Sequence, residues 1–336
     1  MSKDLEPLLV VEDLTVAFPR GGASAPVIDA LSLTLNRGEV LALVGESGSG
    51  KSMTALSLMR LLPSGGEITS GRIRFAGDDV LSLSDRQMDR IRGGRIAMLF
   101  QQPQAMLDPT SRVSSQIAEP LRLHLGLGRR AATERVLDLL REVGIPDPAV
   151  RARSFSHELS GGMAQRVMIA AALSGNPELL IADEPTTALD VTVQAQILRL
   201  IDEERRKRNL ATLLITHDLA VVAALADRVA VMYAGRIVEE GPAKEVLEAP
   251  QHPYTQALMR CSLLVPDKRG QLLSIPGSGT HARELTCGCR FHPRCHAAAQ
   301  HGIASQCMGS EPALGRDPHG HSTRCWAVET EKETAA

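Results

Sequence analysis

The segment GESGSGKS at residues 45–52 has the composition and spacing of a phosphate-binding loop. It matches the P-loop pattern G-x-x-x-x-G-K-[ST], in which glycines let backbone N–H groups turn toward phosphate oxygens. A β-like apolar run precedes it and a helical run follows, so the helix N-terminus adds its positive end. We expect Lys51 to contact the β- and γ-phosphates and the Ser52 hydroxyl to hold Mg²⁺. The alternative, a glycine-serine loop that only caps a helix, does not require the whole pattern. The residues predicted to contact nucleotide are Gly45, Glu46, Ser47, Gly48, Ser49, Gly50, Lys51 and Ser52.

Two acids end the apolar run LLIADEP, about 130 residues further along the chain. A carboxylate at the C-terminal end of a buried strand faces the crevice where α/β sheets bind ligands. Asp183 is predicted to hold Mg²⁺ through water, and Glu184 to orient or deprotonate an attacking water. For an isolated acidic pair a simple turn would be the better interpretation. The P-loop earlier in the chain favours the catalytic one.

The segment LSGGMAQRVMIAAALSG, residues 159–175, predicts a second helix N-terminus. Ser160 is a favourable N-cap, whereas Gly161 and Gly162 occupy the first turn, where other residues form helix better. Glycine there permits close backbone approach to an anion. A capped helix with no ligand explains the segment equally well on physical grounds, so both interpretations stay open at this point.

Composition excludes some classes of partner. The 336 residues carry a formal net charge of −2, and aromatic residues make up 2% of the chain. Neither binding of nucleic acid through bulk positive charge nor base stacking on aromatic platforms fits these values. The N-terminal sequence lacks the pattern of a secretion signal, and no apolar run reaches 18 residues. We therefore expect a protein that is soluble by itself, cytoplasmic and without a nucleic-acid partner.

The periodicity of the chain predicts an α/β fold. Strands are expected at residues 7–18, within 31–45 and at 70–77, and helical spacing dominates residues 115–158. LLIADEP and ATLLITHDL are short continuous apolar runs of the kind found in parallel strands buried on both faces. The segment DRVAVMYAGRIVEEG predicts a hairpin with its turn at Ala234 and Gly235.

These motifs occur in an order that resembles the ATP-binding cassette (ABC) ATPases. LSGGMAQR is similar to the signature sequence of that family, Gln101 in FQQP to its Q-loop glutamine, and His217 in ITHD to its switch histidine. Phe18 resembles the aromatic residue that stacks on adenine, and Asp190 the D-loop aspartate. The resemblance implies catalytic roles for Glu184, His217 and Gln101, with Gln101 also contacting Mg²⁺. It further implies that Ser160, Gly161, Gly162 and Asp190 contact nucleotide in a closed dimer of two such domains.

The implied fold is a P-loop NTPase with a mainly parallel core sheet, an antiparallel β subdomain and a helical subdomain. We expect the ATP-binding domain over residues 1–250, with the helical subdomain at about 102–165. A C-terminal extension is expected over residues 251–336, because Pro, Gly, His and Cys replace regular periodicity there.

Longer segments resemble the ATPase subunits of dipeptide and oligopeptide importers. These are LVGESGSGKSMTALSLMRLLP, FQQPQAMLDPT and, at residues 250–259, PQHPYTQALM. The resemblance implies an ATPase that drives peptide import with two membrane permease subunits and a second, similar ATPase subunit rather than a copy of itself. An extracytoplasmic binding protein is implied indirectly, and the location is the cytoplasmic face of the bacterial inner membrane. Alternatives are a nickel or metallophore importer of the same branch and a soluble ABC ATPase with a redox-sensing tail.

Five of the six cysteines lie in the last 50 residues. In a reducing compartment such cysteines favour metal binding over disulfides. The tail resembles longer members of the peptide-importer branch, in which four cysteines bind a [4Fe–4S] cluster. This resemblance implies Cys289, Cys295, Cys307 and Cys325 as ligands, with Cys287 as an additional thiol. Zinc is an alternative, since four histidines lie nearby. These are His292, His296, His319 and His321. Free thiols without a metal are another alternative.

Overall fold

The structure is a computed structural model of the full chain. It describes residues 6–20, 23–101, 106–187, 189–262, 275, 277, 281–285, 287–316 and 320–328. His319 and the first residues of the predicted helical subdomain, 102–105, lie outside this description.

The chain folds into two compact units, each built from separated stretches. The helical unit comprises Met1–Leu8, Leu35–Glu39 and Ser82–Leu214. The strand-rich unit comprises Leu9–Thr34, Val40–Leu81 and Ile215–Ala336. The division of the sequence at residue 250, and the helical subdomain at 102–165, stay predictions.

An antiparallel sheet in the strand-rich unit contains the first predicted strands. β1 (Leu9–Arg20) lies between β2 (Ala23–Leu35) and β4 (Glu67–Phe75), and β5 (Asp78–Asp79) forms the edge. β1 and β4 pair with Leu9 opposite Phe75, and both side chains are fully buried. The predicted segment 31–45 spans the end of β2 and all of β3 (Val40–Val44), separated by the turn at Asn36–Gly38.

A second sheet in the same unit has the order β11, β12, β10, β9, β3. β3 runs parallel to β9 (Arg228–Tyr233), and β9 pairs antiparallel with β10 (Arg236–Pro242). The predicted hairpin is confirmed, with Tyr233 opposite Arg236 and positive φ at both turn residues, Ala234 and Gly235. Its outer strands are β11 (Gly315–Arg316) and β12 (Ser322–Thr323). The helices of this unit are α1 (Lys51–Leu58), α8 (Leu219–Leu225), α9 (Ala243–Glu248), α10 (Pro253–Ser262), α11 (His296–Gln300) and α12 (Ala304–Gly309).

The strands of the helical unit are short and fully apolar. β7 (Leu179–Asp183) lies between β8 (Ala211–Ile215) and β6 (Ile96–Leu99), and β6 and β7 are parallel. Every residue of β7 and β8 is buried, as the two continuous apolar runs predicted. Its helices are α2 (Asp85–Ile91), α3 (Val113–Leu125), α4 (Arg129–Glu142), α5 (Pro148–Arg151), α6 (Gly161–Ser174) and α7 (Val191–Arg208).

α3 and α4 are amphipathic and pack against α6. Ile117 and Leu121 on α3 and Val136 and Leu139 on α4 are buried at the spacing of one helical face. The opposite side of α3 leaves Leu123 exposed to solvent. No helix among the described residues combines the length and the apolar composition needed to cross a bilayer.

Candidate functional site

The P-loop joins β3 to α1 through glycines that the surrounding backbone requires. Gly45 has φ +153°, and a Cβ there would lie 2.1 Å from the carbonyl oxygen of Met232. Gly50 has φ +119°, and its Cβ would lie 2.6 Å from Cε of Met232. Gly48 has φ +77° and open space where a side chain would point. The loop is therefore packed against β9 at both ends and accessible in the middle.

The polar groups of this loop fit a bound phosphate chain. Lys51 is 7% exposed, and its Nζ donates to the carbonyl oxygens of Gly45 (2.8 Å) and Glu46 (3.0 Å), so the ammonium closes the loop. Ser49 Oγ is buried without a hydrogen-bond partner among the described residues, and a phosphate or water can satisfy it. Ser52 stands exposed in the first turn of α1.

Glu46, the second residue of the loop, is held by residues that the sequence did not link to it. Its N–H donates to the Tyr254 hydroxyl (2.8 Å). Its carboxylate accepts two hydrogen bonds from Arg294, at 2.9 and 3.0 Å. The His-Pro-Tyr element marked Tyr254 as a residue of interest in the sequence. Nothing in the sequence indicated that it contacts Glu46.

The acidic pair at the end of β7 consists of a buried and a half-buried carboxylate. Asp183 is 7% exposed, whereas Glu184 is half-buried, with φ +46°. Glu184 Oε2 accepts hydrogen bonds from Gln101 Nε2 (2.7 Å) and Thr187 Oγ1 (2.9 Å). Left-handed backbone at a non-glycine residue costs about 1–3 kcal/mol and is concentrated at functional sites. The structure thus brings Gln101 and Glu184 together as catalytic candidates and adds Thr187, which the sequence did not indicate.

The signature helix α6 begins as predicted. Ser160 is its N-cap, with Oγ accepting from the N–H of Met163 (3.3 Å). A Cβ on Gly162 would lie 2.9 Å from Cγ1 of Val193 in α7. Asp190 caps α7, with Oδ1 accepting from the N–H of Val193 (3.0 Å). Close packing of two helices therefore explains Gly162 within this chain. An anion contact by this segment stays a prediction.

Two predicted nucleotide contacts lie in the strand-rich unit at accessible positions. His217 is exposed directly after β8, and the next residue, Asp218, caps α8. Phe18 in β1 is half-buried and packs so closely on Gly66 that a Cβ there would lie 2.7 Å from the ring. Both side chains are accessible for the predicted roles.

The four cysteines implied as ligands line one narrow cavity, between α10, α11 and α12. The rest of its wall is mostly apolar and includes Phe291 and Ile303. Burial and the neighbouring thiols raise the pKa of Cys289 to about 12, and burial raises that of Cys325 to about 11. The four cysteines that line the cavity are Cys289, Cys295, Cys307 and Cys325. Cys287 is exposed and does not line it.

Two of the histidines considered for zinc, His292 and His321, already have hydrogen-bond partners, and His292 also lines the cavity. His292 Nδ1 lies 2.8 Å from the carbonyl oxygen of Cys289, and His321 Nε2 lies 2.7 Å from Glu239 Oε1. Among the described residues, no three His, Cys, Asp or Glu side chains are arranged to hold a metal ion.

The helical unit also contains a large open groove of about 1140 Å³, formed by α3, α4 and α6. Met106 and Leu123 on its wall are 52% and 70% exposed. Asp108 and Glu119 place negative charge on the same wall, and Arg122 and Arg129 place positive charge there. Apolar side chains exposed beside charge are typical of a protein-binding surface.

Comparison with known proteins places these features in one family. A model described as ABC transporter matches residues 28–187, and one described as oligopeptide/dipeptide transporter, C-terminal region, matches residues 238–301. The dipeptide transport ATP-binding protein DppD of Escherichia coli is 44% identical over 320 residues, covering 95% of this chain and 96% of that protein. The chain belongs to the ABC transporter ATPases, in the oligopeptide/dipeptide branch.

Further relatives agree with this placement. A putative peptide import ATP-binding protein of Brucella ovis is 46% identical, covering 95% of this chain and 97% of that protein. Among solved structures, the ATP-binding cassette MJ0796, a dimer bound to ADP and phosphate, has a TM-score of 0.63 at 26% identity and covers 70% of this chain and 98% of its own. CbiO1 of Clostridium perfringens gives 0.63 at 28% identity, covering 73% and 92%. This ABC ATPase therefore has the P-loop NTPase fold and binds and hydrolyses ATP.

Proposed function

We propose that this ABC ATPase energises the import of dipeptides or oligopeptides through a membrane permease. The observation that carries hydrolysis is Glu184 at the end of β7, held by Gln101 and Thr187. The match of residues 238–301 to the peptide-transporter C-terminal region and the names of its relatives support the cargo class. The ATPase itself does not contact the cargo.

The residues divide into three roles in this proposal. Lys51 and the P-loop N–H groups bind the phosphates, and Glu184 accepts the proton of the attacking water. His217 contacts the γ-phosphate, and Phe18 stacks on adenine. Ser52, Gln101 and Asp183 would hold Mg²⁺, whose charge neutralises the phosphates when it is bound. Ser160, Gly161, Gly162 and Asp190 contact the nucleotide of a partner subunit.

The hydrogen bonds on Glu184 supply a means of control. Two donors on Oε2, Gln101 Nε2 and Thr187 Oγ1, hold the Glu184 carboxylate in one orientation. Withdrawal of the Gln101 amide would release the carboxylate from that orientation. Gln101 contacts the catalytic carboxylate and directly follows Phe100, which lines the groove, so it can connect permease binding to hydrolysis.

The groove of the helical unit is proposed to bind the permease. Its exposed Met106 and Leu123 would be covered by an apolar segment, and the acidic and basic side chains of its wall would pair with charges of opposite sign flanking that segment. The assembly has two permease subunits and a second, similar ATPase subunit, with an extracytoplasmic binding protein as indirect partner. The chain would then lie peripherally on the cytoplasmic face of the inner membrane.

Glu184→Gln tests the hydrolytic assignment. Loss of a general base lowers the rate by about two to four orders of magnitude, while ATP affinity stays within a few-fold and ATP-dependent dimers accumulate. Turnover within threefold of the parent protein would refute the role. Cells carrying only this variant should fail to grow on dipeptides as nitrogen source. Normal peptide uptake together with lost nickel or metallophore uptake would transfer the protein to that sister group.

We also propose that the cysteine cavity holds a [4Fe–4S] cluster. Four thiols facing one apolar space provide the donor set that such clusters use. Cys289, Cys295, Cys307 and Cys325 would hold the cluster. Four thiolates on one zinc ion are the alternative. The cavity as described has room for about one water molecule, about 10 Å³, which is less than a cluster occupies.

Cys307→Ser and Cys287→Ser form a matched pair for this proposal, because Cys307 lines the cavity and Cys287 does not. Protein purified without oxygen should be brown and contain about four iron and four sulfide per chain. Cys307→Ser should lose both the colour and the iron, whereas Cys287→Ser keeps them. Colourless parent protein with stoichiometric zinc would decide for the zinc site, and colourless protein free of metal would decide for free thiols.

A further inference from the structure

The P-loop is anchored from one side by residues far away in the sequence. Arg294 binds both carboxylate oxygens of Glu46, and Tyr254 accepts from the Glu46 N–H. Arg283 donates to the carbonyl oxygen of Gly48 in the same loop. All three anchors come from the region after residue 250. None of them belongs to the nucleotide-binding motifs.

The Arg294 side chain is itself rigidly held. It is 7% exposed, and its guanidinium lies 5.7 Å from the ring centre of Tyr233 and 6.0 Å from that of Phe291. It also donates to the carbonyl oxygen of Ile275 (3.0 Å). A guanidinium stacked on aromatic rings and paired bidentately presents its donors in one orientation. Arg294 therefore defines where the Glu46 carboxylate lies.

Tyr254 is fixed in the same aromatic cluster. Its ring centre lies 4.6 Å from that of Tyr233 and 5.5 Å from that of Phe291. Its N–H donates to His252 Nδ1 (3.0 Å), which links the His-Pro-Tyr element to the loop through two consecutive hydrogen bonds. Burial raises the pKa of the Tyr254 phenol, so the hydroxyl remains neutral and available as acceptor.

Electrostatics explains why this anchor matters for the reaction. Glu46 is a carboxylate in a loop built to surround phosphates, and unpaired it would repel the nucleotide. Pairing with Arg294 neutralises it and directs it to the side of the aromatic cluster. A loop already held in its binding conformation also loses less entropy when ATP binds.

We propose that Arg294 is a positioning residue for ATP binding, which neutralises and orients Glu46 so that nucleotide affinity depends on the region after residue 250. The inference rests on the ATPase activity of this chain. It assigns a role in that activity to a residue outside the nucleotide-binding motifs. It does not require the cysteine cavity to hold a metal.

The test compares Arg294→Gln with Arg324→Gln in the full chain. Arg324 lies in the same region but donates to the carbonyl oxygens of Ile237 and Pro312, away from the loop. Arg294→Gln should weaken binding of a fluorescent ATP analogue about 10- to 100-fold, the range expected for hydrogen bonds to a charged group. The KM for ATP should rise accordingly, with kcat changed less than threefold. Arg324→Gln should leave the Kd within threefold of the parent protein.

The double variant Glu46→Gln/Arg294→Gln separates charge from folding. Because the harm in Arg294→Gln comes from the unpaired carboxylate, the double variant should bind ATP at least fivefold more tightly than Arg294→Gln. Arg294→Lys should be intermediate, since it keeps the charge and loses the bidentate geometry. An unchanged Kd in Arg294→Gln, an equal loss in Arg324→Gln, or no recovery in the double variant would each overturn the inference. Failure of the parent protein to bind the analogue would instead overturn the ATPase assignment.

Discussion

Replacing Gly162 by alanine measures how closely the signature helix packs on α7. The new Cβ would lie 2.9 Å from Cγ1 of Val193, which cannot rotate away because a β-branched side chain in a helix has one preferred rotamer. Overpacking of this kind costs about 1–3 kcal/mol. Alanine in place of a helical glycine returns up to about 1 kcal/mol. The net change should therefore lie between zero and a loss of about 3 kcal/mol.

Gly161→Ala is the matched control, since its Cβ would lie 3.7 Å from the nearest atom, at an ordinary contact distance. It should be neutral or stabilising by up to about 1 kcal/mol. The free energies of unfolding from urea titrations should thus differ by about 1–3 kcal/mol between the two variants. Val193→Ala should remove this difference, because it deletes the Cγ1 methyl that the new Cβ would approach. Equal midpoints for Gly161→Ala and Gly162→Ala, or a difference that persists with Val193→Ala, would refute the packing explanation. Contact with the nucleotide of a partner subunit would then be the remaining explanation for the two glycines.

Three further outcomes are expected. Burial lowers the pKa of His252 to about 4 from its ordinary 6.5, so the unfolded chain binds the proton better. Stability should fall by about 2 kcal/mol from pH 7 to pH 5 in urea titrations, and this part should vanish in His252→Asn. Thr187→Val removes one hydrogen bond from Glu184 and should lower kcat about fivefold with an unchanged Kd for ATP; an equal rise in Kd would contradict a positioning role. Leu123→Asp, at an exposed position in the groove, should abolish peptide uptake. Basal ATP hydrolysis should be unchanged, and the free energy of unfolding should stay within about 0.5 kcal/mol of the parent's. Intact uptake would exclude this wall from permease binding.

Local patterns predicted local structure well. The P-loop, the buried strands β7 and β8 and the turn at Ala234 depend on residues within about ten positions of one another, so one sequence sufficed. Helix α7 was not predicted, although Asp190 at its start and Asn209 in left-handed conformation at its end are ordinary boundary signals. Its stretch of polar residues concealed the apolar face that contains Ile197 and Leu200.

Long-range partners could not be read from the chain. Glu46 and Arg294 are 248 positions apart, and either one alone looks like a solvated surface charge. Thr187 was missed because a threonine beside an acidic pair carries no pattern of its own. For Gly162 the sequence predicted an anion contact. The structure shows in addition that this glycine packs closely on helix α7, which the sequence did not indicate.

The short strand β12 has a consequence for any attempt to shorten the protein. It pairs with β10, with Thr323 opposite Glu239 and Ser322 opposite Glu240, and so covers hydrogen-bonding groups along one side of β10. A gene truncated after residue 250 would encode every nucleotide-binding motif yet leave this side of β10 unpaired. Exposed strand edges recruit other chains. Such a truncated protein should accumulate as insoluble aggregate, and poor yield alone would then be mistaken for a defect in the ATP-binding domain.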